Sequence, residues 1–405
     1  MKKIISLFSG AGGMDLGFEG SFYVPKVLIN KKINSEWIES EDSERIFLKS
    51  TGFKTCFSND ILKSAEIAWN NYFTNHHDID EKIFLCKSIE DVIEDFRQNN
   101  FDFPKDIDLV TGGFPCQDFS LAGKRMGFES SKSHLNNINS VNQKRNRGQL
   151  YLSMKDVIEI TQPKMFIAEN VKGMTNLGDV VRTIQEDFQN INSSEYIVFN
   201  PTVLNAADYG VPQNRERIFF IGLNKKFLKK EFIDDIHHFD PYPPKTHTKN
   251  SDLFEKDKVY HIPSYEVLKD LNEPENEKND LSQSSLSRAK FYGKNFQGNK
   301  EINLKSPSMT IRAEHHGNIE FRRLNLENGG AYVKEIKGGL KQRRLTVREC
   351  ARLQTFPDEY EFVFNNKSKN LSTSAAYKLI GNSVPPLFAY HFAKYYQRIW
   401  KNIFI

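Results

Sequence analysis

Short apolar runs alternate along the first half of the chain with segments whose apolar positions recur every three or four residues. Lys3–Phe8, Lys54–Ser58, Ile83–Cys86, Ile107–Thr111, Met165–Ala168 and Arg217–Ile221 have the length and composition of strands. Ala65–Phe73, Ile89–Gln98, Leu150–Ile160 and Val180–Gln189 carry helical spacing. Such alternation predicts an α/β fold: a parallel sheet with helices on both faces. Ligands then bind beyond the carboxyl ends of the strands. Two insertions break the rhythm. Residues 20–52 are charged and mixed, and predict a hairpin or small lobe; residues 129–146, rich in Ser, Asn and basic side chains, predict a mobile loop. From about 240 to 345 the helical periodicity fades, and Pro241-Tyr242-Pro243-Pro244 marks a break in composition. A second domain of strands and loops is expected there. Ala375–Trp400 returns to helical spacing, interrupted by Gly381-Asn382-Ser383-Val384-Pro385-Pro386.

Composition narrows the class. The chain has 405 residues, 39% of them hydrophobic, which predicts a soluble protein of one large domain or two. No apolar run is long enough to span a bilayer, and the start has too short an apolar core for a signal peptide. Cys56, Cys86, Cys116 and Cys350 form no CxxC pair, so no metal is expected, and reduced cytosolic thiols are. The net charge of +4 is unevenly spread. Residues 231–280 hold 13 acids and six lysines, and residues 281–352 hold 15 Lys or Arg against six acids. Residues 117–150 add six basic and two acidic side chains. Two basic stretches around an acidic one suggest a nucleic-acid face, with ordinary surface charge an equal alternative.

The candidate chemistry falls at strand ends. Cys116, in Gly112-Gly113-Phe114-Pro115-Cys116-Gln117, follows a strand where an active-site loop would begin. A lone cysteine is more often a small buried hydrophobe than a nucleophile. Phe8-Ser9-Gly10-Ala11-Gly12-Gly13 is a glycine turn entering a helix, and Ser58-Asn59-Asp60 ends the second strand with an acid able to hold two ribose hydroxyls or to cap a helix. Glu169-Asn170-Val171 places a carboxyl at a strand end, where desolvation favours its protonated form. In Gln213-Asn214-Arg215-Glu216-Arg217 an extended backbone would point Gln213, Arg215 and Arg217 the same way. Arg343–Arg352 reads as a basic helix capped by Thr346.

Eight blocks stand in one order: FSGAGGMD, SND, GGFPCQDFS, RGQLY, ENV, QNRER, RRLTVRECARLQTFP and GNSVPP. On these blocks the chain resembles the DNA (cytosine-5) methyltransferase family, of the prokaryotic restriction-modification type. The resemblance implies a Rossmann-like class I S-adenosylmethionine-dependent methyltransferase sheet in residues 1–240, completed by 372–405. It also implies a smaller, mostly β and loop target-recognition domain at 241–371. S-adenosylmethionine would be the cofactor, with S-adenosylhomocysteine as product. Its site would comprise Phe8, Gly10, Ala11, Gly12, Gly13, Asp60, Ile61, Ser88, Ile89, Pro115, Leu150 and Asn382. Ser6, Ile61 and Ser88 depart from residues frequent in the family. Cys116 would add to C6 of a flipped-out cytosine while Glu169 engages N3. Arg217 would contact O2, and Arg215 would organise the site. Gln117, Ser120, Lys124 and Arg125 would meet DNA from the following loop, and Thr310, Arg312, His315 and His316 would read sequence. Double-stranded DNA is the implied partner of a monomeric, cytoplasmic, nucleoid-associated enzyme paired with a restriction endonuclease. A tRNA cytosine-5 methyltransferase of the same fold, or a DNA-binding protein with a disabled site, is the alternative.

Overall fold

The computed structural model describes residues 1–115, 149–249, 257–293, 295, 298–313, 319–364 and 371–405. Its centre is an eight-stranded sheet. The strands are β1 (Lys2–Leu7), β5 (Phe53–Asp60), β6 (Phe84–Cys86), β7 (Leu109–Gly112), β8 (Met165–Val171), β9 (Tyr196–Val198), β10 (Thr202–Asn205) and β11 (Glu216–Asn224). They lie in the order β10-β11-β8-β7-β1-β5-β6, with β9 also on β11. The strands from β6 to β8 are parallel. β11 runs antiparallel to β8, β9 and β10, so the sheet is mixed where an all-parallel one was expected. The reason is local: ten residues join β10 to β11 with only a short 3-10 turn, and a link without a crossover helix turns the chain back on its neighbour.

Side-chain alternation gives each face its own core. Ile4, Leu109, Ile167, Phe219 and Ile221 point to one side. There they meet helices α1 (Gly13–Glu19), α2 (Lys63–His76) and, near the C-terminus, α8 (Pro386–Ile403). Ile5, Val110, Phe166, Ala168 and Phe220 point to the other, against α3 (Ile89–Arg97), α4 (Leu150–Thr161) and α5 (Val180–Gln189). Each such side chain, fully buried, contributes about 1.5–3 kcal/mol. The close approach of α1 to α8 depends on Gly17: a Cβ there would stand 2.4 Å from both the Ala389 Cβ and the Pro386 carbonyl. The C-terminal helical stretch is two helices, α7 (Thr373–Asn382) and α8, because Pro385 and Pro386 cannot continue the backbone ladder.

Residues 20–52 form a three-stranded antiparallel sheet, β2 (Tyr23–Pro25), β4 (Arg45–Leu48) and β3 (Ile38–Glu41). Phe22 and Trp37 pack edge-on against Tyr390 of α8, with ring centres 5.9 and 5.3 Å away. The insertion is thus a lobe fixed to the last helix.

The described residues between 241 and 364 hold little regular structure. Two short pairs, β12 (His247–Thr248) with β13 (Val259–Tyr260) and β14 (Phe321–Arg323) with β15 (Arg343–Arg344), lie apart from the large sheet. Helix α6 (Val347–Leu353) begins with the cap expected at Thr346, and Glu349 makes it a capping box. Its arginines do not form a basic face. Arg348 is buried on Asp280, and Arg352 bridges Asp358 and Asp270. Arg343 binds Glu349 through two nitrogens and shares Glu273 with Arg323, which also binds Glu335. Arg344 donates to the carbonyls of Ala289, Lys290, Gly298 and Ile319 and to the Asn299 amide oxygen. Acids from the acidic block therefore neutralise arginines from the basic one. The nucleic-acid face read from charge alone loses these arginines to the interior; Lys300, Lys305, Lys334, Lys337 and Lys341 remain exposed.

Candidate active site

In the sheet order β1 lies between β5 and β7. The chain leaves β1 into α1 on one face and β7 into α4 on the other. Neighbouring strands whose connections part this way open a crevice at their carboxyl ends. Leu7 pairs with Gly112, so Phe8–Gly13 and Gly113–Pro115 leave the sheet side by side.

The glycine turn divides by what each residue faces. Gly10 has φ 55°, and a Cβ there would meet nothing within 4 Å: this position borders open space. Its N–H donates to Asp60 Oδ2 at 3.0 Å. Gly12, at φ 68°, is pressed on Trp69, and Gly13 on the Val384 carbonyl and Phe356. Ala11 is buried, and its carbonyl accepts from the Tyr360 hydroxyl at 2.7 Å. Phe8 holds φ 54°, an unusual conformation for a bulky residue. Below the turn, Asp15 accepts from the Ser6 hydroxyl and from Trp69 Nε1. Burial pushes the Asp15 carboxyl up to about 6. Ser6, unusual for the family at that position, is therefore a partner of this buried acid.

Asp60 is not the cap of α2, whose N-cap is Leu62; its carboxylate binds the backbone of two segments. Its Oδ1 accepts from the Leu62 N–H at 2.9 Å, an Asx turn at the entrance to α2, while Oδ2 holds Gly10. Burial raises its pKa against these backbone donors. Ile61 beside it is 68% exposed. Asn59, which the sequence reading quoted without a role, ties the ends of β5 and β6 by donating to the Leu85 and Lys87 carbonyls. Ser88 precedes α3 without capping it, and the Ile89 side chain points into the core. Leu150 opens α4, partly buried, and Asn382 closes α7, exposed. An adenosine-bearing ligand fits this donor set: an open glycine approach, a fixed carboxylate and an exposed apolar side chain lie together. Gly10, Asp60 and Ile61 are the residues that the geometry offers; Gly12, Gly13, Ala11 and Ile89 serve packing.

Across the crevice, register builds an acid–arginine pair. Arg217 pairs with Val171, two residues beyond Glu169, and alternation puts Arg217 and Glu169 on one face. The Arg217 Nε stands 2.8 Å from Glu169 Oε1. Glu169 is only 6% exposed. Burial raises its pKa, and the charges of Arg217 and Arg215 oppose that rise. Its Oε2 lies 2.9 Å from the point a Gly113 Cβ would occupy, so a side chain there would displace the carboxyl. Asn170 Nδ2 donates to the Phe114 carbonyl at 2.9 Å. The acid and its neighbour thus touch the segment that leads into Cys116. Cys116, Gln117, Ser120, Lys124 and Arg125 lie outside the described residues, as do His315 and His316. Pro115 is the last described residue before them, partly exposed.

Arg215 does not reach this pair directly. Fully buried, it donates to the carbonyls of Ile311 and Gly381 at 3.1 and 2.7 Å. Burial and the neighbouring Arg217 charge pull its pKa well below the usual arginine value. Gln213 is also fully buried and bonds elsewhere, to Leu353 and Ile311. Gln213 and Arg215 share a direction, since both reach Ile311, while Arg217 reaches Glu169. Thr310 donates to the Asn214 carbonyl at 2.7 Å, and Arg312 is partly buried. Among the described residues no group of three metal-ligating side chains forms, and no helix is long and apolar enough to cross a membrane.

Comparison with known proteins agrees with this architecture. The model of the C-5 cytosine-specific DNA methylase family matches residues 42–398. The Type II methyltransferase M.BsuRI of Bacillus subtilis is 32% identical, over 96% of this chain and 77% of its own. M.BspRI of Lysinibacillus sphaericus is also 32% identical, over 97% and 80%. Among solved structures, the Dnmt2 methyltransferase of S. pombe matches with a TM-score of 0.55 at 17% identity, covering 99% of each chain. The Entamoeba histolytica methyltransferase EhMeth matches at 0.53 and 14%, again over 99% of each. At such identities these two speak for the fold. By its family match and its curated relatives, this chain belongs to the C-5 cytosine-specific DNA methylase family.

Proposed function

We propose that this enzyme methylates C5 of a cytosine swung out of duplex DNA, with Cys116 as nucleophile and S-adenosylmethionine as methyl donor. The observation that carries the reading is the buried Glu169 carboxyl, held by Arg217 and lying over Gly113, three residues before Cys116. A cytosine entering the crevice has to leave the base stack, at a cost of a few kcal/mol. The Cys116 thiolate forms a bond to C6, and Glu169 donates to N3, taking up electron density as the sulfur adds. Arg217 holds Glu169 and faces the base oxygen. S-adenosylmethionine, when bound, supplies the electrophilic methyl group that the activated C5 accepts. Loss of the C5 proton to a base then restores the C5–C6 double bond and expels the thiolate. Gly10, Asp60 and Ile61 hold the adenosine end of the donor. Residues within 241–371, Thr310 and Arg312 among them, read sequence, and exposed lysines there supply phosphate contacts. A cytoplasmic role beside a restriction endonuclease accords with the Type II relatives.

The test is a covalent trap. Wild-type protein with cofactor and 5-fluorocytosine duplex should accumulate a stable protein–DNA adduct, while Cys116→Ala should bind duplex and form none. Turnover by Cys116→Ala would overturn the mechanism. Methylation of tRNA in preference to duplex would overturn the substrate.

A further inference from the structure

Gln213 has no part in the chemistry above, yet it is completely buried. Both backbone groups of Ile311 are bonded by side chains of the segment that ends in Arg217. The Ile311 N–H donates to Gln213 Oε1 at 3.1 Å, and its carbonyl accepts from Arg215. The other end of the Gln213 amide donates to the Leu353 carbonyl at 3.2 Å. The main chains run together as well. Ser308 N–H donates to the Pro212 carbonyl, and Asn214 N–H to the Ser308 carbonyl, at 2.9 and 2.8 Å. Underneath, Gly381 lets residue 312 pass: a Cβ on Gly381 would stand 2.3 Å from the Arg312 carbonyl carbon. Residues 308–312 are therefore zipped to 212–215, two residues from the arginine that holds Glu169.

We infer that Gln213 is a positioning residue that joins the sequence-reading segment 308–312 to the Arg217–Glu169 pair, so that correct seating on DNA and presentation of the acid occur together. The inference rests on the proposed role of Thr310 and Arg312 in reading. A buried amide suits the task because it offers one acceptor and one donor in fixed geometry. Loss of either bond leaves a backbone group buried without a partner. A shift of 308–312 then moves Arg217 through a short, fully bonded path.

The test compares Gln213→Met, which loses both bonds, with Gln213→Glu, which keeps the acceptor for Ile311. Single-turnover methyl transfer, duplex affinity and discrimination between the target site and a one-base variant are measured on each, below the melting temperature. Gln213→Met should lose about 10- to 100-fold in transfer rate and lose discrimination, with non-specific duplex affinity within about threefold. Gln213→Glu should recover only part of both, since it keeps the bond to Ile311 and loses the amide N–H that donates to Leu353. Wild-type rate and discrimination in folded Gln213→Met would overturn the inference. Hydrogen exchange on the wild type is the second measurement, and it serves even where a variant fails to fold. Target duplex should slow exchange in 308–312 and 213–217 together, and a non-target duplex in neither. Independent responses of the two segments would also overturn it. Absence of any methyl transfer by the wild type on duplex would instead defeat the proposed function.

Discussion

The sheet and the region from 257 to 364 use buried charge differently. In the sheet the interior is largely apolar; the buried charged groups Asp15, Glu169, Arg215 and Arg217 lie around the crevice, and Glu19 lies apart from them, on Thr55 and His77. In the second region buried arginines run through the interior, and Arg323, Arg343, Arg344 and Arg348 each bind carboxylates or several carbonyls. A region with few regular elements has many backbone carbonyls outside any ladder, and arginine, with five donors, satisfies several at once. Most buried charge of the first region lies at the proposed reacting site, and in the second it takes the place of secondary structure.

The sharpest test of that contrast pairs one residue from each. Glu169→Gln should lower single-turnover methyl transfer by about 10²–10⁴-fold, with duplex affinity within about threefold. An unchanged rate with weakened binding would remove Glu169 from the chemistry. Arg344→Met should do the reverse. It strands five acceptors and should cost about 3–5 kcal/mol, read as an early denaturant midpoint, with Arg344→Lys restoring little because ammonium cannot span the same set. Full stability in Arg344→Met would show that the second region does not depend on its arginines.

Glu320 gives a smaller effect with a defined sign. It is 4% exposed, Oε2 has no hydrogen-bond partner, and burial pushes its carboxyl up to about 7 from 4.5. The folded state therefore holds a proton that the unfolded state releases. Stability contributed by this group is fully present below pH 4.5 and is lost as pH rises to about 7. The loss should be on the order of 1–3 kcal/mol. Glu320→Gln should flatten that part of the stability–pH curve, and an unaltered curve would assign the slope to other groups. At the bottom of the scale, the exposed Arg182–Glu186 pair should prove dispensable: Arg182→Ala should leave the melting temperature unchanged.

The same contrast explains what could be read from the sequence. Strands β1, β7 and β8 were legible because each holds a short apolar run covered on both faces, and Val180–Gln189 because its apolar stripe faces the second core. The reversal at β11 was not, since an apolar run carries no direction. The motif residues were legible as a set, but not their division of labour. Nothing in Gly10-Ala11-Gly12-Gly13 distinguishes the glycine beside open space from those against Trp69 and Val384. Regional net charge was the least specific guide. Counting arginines at 281–352 cannot show that their partners include Asp270, Glu273 and Asp280, which stand 50 to 82 residues earlier in the chain.

The missing Cβ at position 381 limits how the enzyme could be re-targeted. Swapping residues 241–371 for the equivalent stretch of a relative would change which duplex is recognised only if the incoming main chain passes over Gly381 at the same height. A graft that ignores residues 213, 215 and 381 should give proteins that fold and hold DNA but methylate it slowly. Selecting compensating changes at those three positions is the direct way to recover hybrids with new target sites.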